Sequence, residues 1–195
     1  MQQAWEQQDV MHRQTNLAII AIMAVLAGCA GIQVVGGGAP EPRKIIEMDR
    51  FYSGTWLEVA RRPMLITANC PAGSTTYRRT GPTTVYVFDA CEVGVPGGRQ
   101  RSIDGEGTIL DPGTNAKLIV RYAPLVSREY WIIDRADDYS WFIEASPDFR
   151  DLYIFTRKVP SRSQLSRLVA RAEALGYDVS RLEFPAQPPR KVPKL

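Results

Sequence analysis

Histidine is almost missing from this chain of 195 residues: the single one, His12, stands ahead of an apolar stretch near the N-terminus. Once such a leader is removed, the rest of the chain can form no Ser-His-Asp triad, no Cys-His pair and no His-ligated zinc site. Cysteine is sparse as well, with Cys29, Cys70 and Cys91 the full set. No apolar run approaches the ~20 residues that a membrane-spanning helix needs. Nor is there a basic stripe. The net charge is +3, and the bases are interspersed with acids except for Arg190, Lys191 and Lys194 among the last prolines, so no nucleic-acid partner is expected. No internal repeat is visible. What is present, 45% hydrophobic and 23% charged residues, suffices for one domain with a substantial core and is unlike a disordered or fibrous chain.

The apolar run over residues 17–27 follows Arg13 and ends at Gly28-Cys29. It has the length of a signal-peptide hydrophobic region. Residues 1–10 carry Glu6 and Asp9 but no base, whereas Met11-His12-Arg13 opens the segment as a signal usually does. Leu26-Ala27-Gly28-Cys29 resembles the bacterial lipobox, in which the cysteine receives a diacylglycerol and the chain is cut before it. Residues 1–28 are therefore expected to be a lipoprotein signal peptide, with Cys29 the lipidated residue. Residues 29–47, with Gly36-Gly37-Gly38 and Ala39-Pro40-Glu41-Pro42-Arg43, are expected to be a flexible tether. Export to an oxidising compartment leaves Cys70 and Cys91 to pair with each other.

A β-rich body follows. Phe51–Arg61 reads as a turn at Gly54 running into a strand, with Trp56, Glu58 and Ala60 on one face and Leu57 and Val59 on the other. Ser74–Arg79 and Val85–Cys91 form a hairpin about Gly81, which sets position 71 opposite 91 and puts Cys70 within crosslinking reach of Cys91. Further strands are expected at Arg101–Leu110, Ala116–Tyr122, Glu129–Asp134, Tyr139–Ala145 and Leu152–Arg157. Short strands at such regular spacing argue for an antiparallel sandwich or barrel. Eight is the number at which a closed barrel can still hold one small ligand.

The period then changes. Ser161-Arg162-Ser163-Gln164 reads as a capping box, Leu165, Leu168, Val169, Ala172 and Leu175 share a helical face, and Gly176 ends the helix. Val179–Phe184 is expected as an additional edge strand, and residues 185–195 as a Pro-rich tail.

Gly54-x-Trp56 with Glu58-Val59-Ala60-Arg61, Asp138-Tyr139 before a strand, and Leu152-Tyr153-Ile154-Phe155-Thr156-Arg157 together resemble the lipocalins. Ser102-Ile103-Asp104-Gly105-Glu106-Gly107 and Gly176-Tyr177-Asp178-Val179 are similar to further parts of that pattern, specifically to the bacterial lipoprotein lipocalins and apolipoprotein D. The chain departs from the pattern at Leu57, Asp137 and Tyr153. The resemblance covers residues 48–184. It implies an eight-stranded antiparallel up-and-down β-barrel with one C-terminal helix packed outside. It further implies that Gly54 and Trp56 close one end, with Arg157 across the indole. Carried over residue by residue, it puts Glu58, Tyr77, Val87, Asp89, Tyr122, Tyr153 and Phe155 on the wall of a ligand cavity, and Glu58 there must be hydrogen-bonded or have a raised pKa.

The function so implied is that of a non-enzymatic lipoprotein, anchored through Cys29 in the outer membrane and facing the periplasm. It would hold a small apolar ligand of the fatty-acid or lysophospholipid class and use no metal or cofactor. A barrel enzyme acting on a lipid-like substrate, through Glu58 or Asp89, and a structural envelope protein without ligand are the alternatives.

Overall fold

The structure, a computed structural model, describes residues 38–186. The signal peptide, Cys29 and most of the Pro-rich tail lie outside the described residues. A short helix, α1 (Met48–Phe51), leads into eight strands: β1 (Ser53–Arg61), β2 (Ala72–Arg79), β3 (Thr84–Val93), β4 (Arg99–Ile109), β5 (Lys117–Ala123), β6 (Val126–Arg135), β7 (Trp141–Ala145) and β8 (Leu152–Thr156). Helix α2 (Arg162–Ala174) follows. Each strand pairs antiparallel with the next, and β8 pairs back onto β1, so the sheet closes into a barrel without a free edge.

The alternation of side chains along the strands separates two apolar clusters. One fills the barrel interior, with Trp56, Tyr77, Val85, Val87, Leu118, Val120, Phe142 and Phe155. The other lies between the outer wall and α2, where Val59, Ala60, Ile143 and Ile154 meet Leu168 and Ala172. Ser161 caps α2 by accepting from Gln164 N at 3.2 Å, and Gly176, at φ 95°, ends it. Arg171 of α2 clamps onto the buried carboxylate of Asp134 on β6. Helix and wall are thereby fixed by apolar burial and by one ion pair.

Several expectations are corrected. The segment read as a tether is, from Gly38 onward, laid against the barrel. Ala39 N donates to Pro147 O at 2.9 Å, Ile46 N donates to Thr114 O at 2.8 Å, and Ile46 is 1% exposed. Pro40 and Pro42 forbid a helix there, but they do not prevent extended packing. The β2–β3 hairpin pairs Gly73, not residue 71, with Cys91, because Thr84 O accepts from both Thr80 N and Gly81 N and the turn centres on Pro82. Tyr139 is not in a strand. It sits at φ 58° in the β6–β7 turn, its ring between the guanidinium groups of Arg50 and Arg135 and its hydroxyl accepting from Glu47 N at 3.0 Å. Residues Val179–Arg181 form a single 3-10 turn, and the expected extra strand reduces to one bridge, Arg61 to Glu183.

The correction with the largest consequence lies in β1. Its pairing with β8 slips between Glu58 and Ala60, a β-bulge that resets the alternation. Trp56 and Glu58 face inward as expected, but Ala60 joins the cluster under α2 and Arg61 turns into the barrel.

Candidate functional site

Below the barrel mouth lies a cavity of about 800 Å³. Its floor is an aromatic plug. Trp56 and Phe142 meet edge to face at 4.7 Å between centroids, and Phe51 packs on both, at 5.4 and 4.8 Å. Gly54, at φ 64°, makes the turn that brings β1 under this plug. Arg157 seals it from outside, its guanidinium 3.4 Å from the Trp56 ring centroid. The same guanidinium donates to the carbonyls of Ser53 and Thr55, at 2.7 and 3.2 Å, and to those of Arg50 and Phe51, at 3.2 and 3.3 Å. Burial lowers its pKa to about 10. The Trp56–Arg157 contact expected from the resemblance is thus present.

Glu58, Tyr77, Val87, Asp89, Tyr122, Tyr153 and Phe155 all line the cavity, so the structure brings the seven expected wall residues together. Two of them carry charge. Asp89 accepts from the Tyr122 hydroxyl at 2.6 Å, and that hydroxyl is 3.5 Å from Tyr130 Oη. Glu58 is paired with Arg61, and burial nevertheless pushes its carboxyl above the usual range, against the lowering effect of Arg61. Both alternatives stated for Glu58, a hydrogen bond and a raised pKa, therefore hold at once. Gly73 makes room for it, since a Cβ at that position would come within 2.7 Å of Glu58 Oε1.

Other lining residues were missed, among them Arg61 and Glu144. Arg61, 4% exposed, donates to Glu58, to Glu183 at 2.5 Å and to the carbonyls of Cys70 and Thr67 at 2.7 and 3.3 Å. No period-two pattern reveals it, because residues three apart share a face only across a bulge. Glu144 stands on β7 beside Tyr153, is 4% exposed and also faces the cavity. Burial first, and then the charges of Asp89 and Glu58, push its carboxyl well up. Its inward direction was readable by counting two residues on from Phe142. The phenols of Tyr77, Tyr122, Tyr130 and Tyr153 are all pushed up by burial. They stay protonated and can donate.

At the mouth, Leu65 is almost fully exposed on a 3-10 turn over Leu65–Thr67, with Ile66 beside it. That loop is tied down by the Cys70–Cys91 disulfide, with Cα atoms 5.5 Å apart, and by Arg101, which donates to Ile66 O and Ala68 O at 2.5 and 3.2 Å. The expected pairing of the two cysteines is what the structure has. Among the described residues no cluster of three or more His, Cys, Asp or Glu side chains is placed to hold a metal ion.

A closed eight-stranded barrel with an aromatic floor, an arginine across the motif tryptophan and a cup open at the other end defines a class of proteins that hold small molecules inside a sheet. Residues 46–187 match the family model described as a lipocalin-like domain, and the chain belongs to the lipocalin family. A lipocalin-designated protein of Acanthamoeba polyphaga mimivirus is 26% identical over 141 residues, which cover 67% of this chain and 79% of that protein. Among solved structures, insecticyanin of the tobacco hornworm Manduca sexta is similar with a TM-score of 0.58 at 15% identity, over 76% of this chain and 86% of its own. Lobster apocrustacyanin A1 gives 0.55 at 13%, over 80% and 93%. The amine binding protein of Rhodnius prolixus, solved as its tryptamine complex, gives 0.56 at 14%, over 76% and 86%. At these identities the likeness shows the fold. Small hydrophobic molecules are what that fold binds.

Proposed function

We propose that this chain is a carrier lipoprotein of the bacterial envelope, held by acyl chains on Cys29 at the outer membrane and facing the periplasm, which stores or transports an elongated apolar molecule. The carrying observation is the cavity itself: about 800 Å³ with an aromatic floor and wall, within the ~300–1,000 Å³ usual for small-molecule sites. Ligands of fatty-acid or lysophospholipid size suit that volume. Besides the engaged Arg61, the lining cations among the described residues are Arg101, which also holds Ile66 O and Ala68 O, and Arg128, both exposed at the mouth. An anionic ligand of this class would enter tail first and leave its head beside them. The amine bound by the Rhodnius prolixus protein and the lipid-sized ligands favoured here share an apolar body, which is what the wall recognises. Asp89 accepts from the Tyr122 hydroxyl at 2.6 Å, and burial holds that phenol protonated; carriage rather than catalysis is the reading.

Extraction of the purified protein with organic solvent, followed by mass spectrometry, is expected to release a co-purifying apolar molecule. The emptied protein should then take up the fluorescent probe N-phenylnaphthylamine and lose it to fatty acids or lysophospholipids. No extracted molecule and no probe uptake would overturn the carrier reading. For the anchor, Cys29→Ser should lose metabolic palmitate label and leave the membrane fraction; a variant that stays in that fraction would overturn lipidation.

A further inference from the structure

The deep cavity is acidic, and one of its acids lacks a partner. Glu58 is held by Arg61, and Asp89 by the Tyr122 hydroxyl. Glu144, 4% exposed, has its Oε2 enclosed with no hydrogen-bond donor among the described residues. A buried carboxyl atom without a donor is destabilising, so a group that persists there calls for a donor from what enters the cavity. The buried cation of the cavity wall, Arg61, cannot supply it. Arg61 is already engaged by Glu58, Glu183 and two carbonyls. Beside Glu144, its strand partner Tyr153 lies 6.3 Å from Tyr130 and 6.1 Å from Phe155, centroid to centroid. Such ring faces attract a cation as well as an apolar body.

We infer that the deep end of this cavity takes the protonated amine of an apolar ligand, with Glu144 as its hydrogen-bonding counter-charge and the neighbouring rings around the attached hydrocarbon. The inference rests on the carrier reading and adds a second head group that the cavity can hold, at the end opposite the mouth where an anionic head would stay. The titratable groups that interact with Glu144 are the acids Glu58 and Asp89 and the phenols Tyr52, Tyr77, Tyr130 and Tyr153. None of these is a cation, and the Arg61 guanidinium in the wall is taken up by Glu58 and Glu183, so an ammonium group meets no unpaired cation there, whereas a carboxylate finds no free cation to pair with. The ammonium group supplies the donor that Glu144 Oε2 lacks, and its charge opposes the burial that pushes the Glu144 carboxyl up.

Three probes with one body and different heads test this: phenylbutylamine, phenylbutanol and phenylbutyrate, each displacing N-phenylnaphthylamine from the full-length chain near neutral pH. The amine should bind at least about tenfold tighter than the alcohol, and the acid more weakly than either. Glu144→Gln should remove the preference for the amine and leave the alcohol unchanged. Phenylbutyrate binding as tightly as the amine, or a preference that survives Glu144→Gln, would overturn the inference while leaving the carrier reading intact. Failure of the chain to take up the naphthylamine or any of the three would overturn the carrier reading itself, and the inference with it. Should Glu144→Gln not fold, the ranking of the three probes on the wild-type chain decides the matter alone.

Discussion

Replacing Arg61 by methionine removes the cation that the β1 bulge turns into the barrel. Glu58, 10% exposed in its side chain, would lose its only ion-pair partner among the described residues, and the carbonyls of Cys70 and Thr67 would each lose a donor. Breaking a buried pair by removing one partner costs about 3–5 kcal/mol. For a chain of this size that is a fall in melting temperature of about 6–20 °C. The loss should depend on pH, and its sign follows from Glu58. Burial already raises the Glu58 pKa, and Arg61 is what holds it down; without Arg61 it rises further. A carboxyl with a raised folded-state pKa contributes stability that is complete below its unfolded value, near 4.5, and is lost as pH rises through the folded value. The gap between wild type and Arg61→Met should therefore be small near pH ~5 and widen toward pH ~8. Arg61→Met with Glu58→Gln should recover part of the loss, because the orphaned charge is gone. Urea unfolding followed by circular dichroism at the two pH values measures both effects. A gap of the same size at both, or no recovery in the double variant, would refute the assignment of Arg61 as the counter-charge of Glu58.

Two further outcomes are expected. The Cys70–Cys91 disulfide closes a loop with a sequence separation of 21. Cys70→Ser with Cys91→Ser should cost about 3 kcal/mol by the chain-entropy relation, and an equal urea midpoint with and without the bridge would show that the hydrogen-bonded loop needs no crosslink. Arg157→Lys keeps the charge but loses the planar fork that reaches four carbonyls. It should cost about 1–3 kcal/mol, with most of that loss absent in a Trp56→Phe background if the indole contact carries it; fully additive losses would instead assign the cost to the carbonyls.

Much of the barrel was legible because its signals are local. Strand β3 carries a period-two pattern, Thr80-Gly81-Pro82 marks the hairpin turn, and Ser161 with Gly176 brackets α2. Inward positions on β8 followed once Arg157 was placed, and those on β3 came from the family resemblance. What was not legible depended on contacts distant in sequence. Gly38 to Glu47 read as tether because its own residues form no regular element, yet Ile46 is buried by partners near Thr114 and Lys44 is held by Arg135 O at 2.6 Å. Tyr139 read as a strand start because an aromatic residue favours strands; two arginines and a backbone donor hold it at positive φ instead.

The bulge in β1 explains why the candidate site was legible in its members but not in its charge. With strict alternation Ala60 would join the wall and Arg61 would leave it, and the cavity would hold unpaired carboxyls. The slip exchanges the two: Ala60 fills a tight place under α2, where no larger side chain is needed, and Arg61 enters to neutralise Glu58. Yet Arg61 is bound on every side by protein atoms, and Arg157, outside the closed end, is committed to the carbonyls and indole there. Both cations thus stabilise the fold without offering a charge to a ligand, and Glu144 is the acid of the cavity whose Oε2 has no donor among the described residues. On the proposed reading a cationic head would reach Glu144, while an anionic head would stay at the mouth with Arg101 and Arg128.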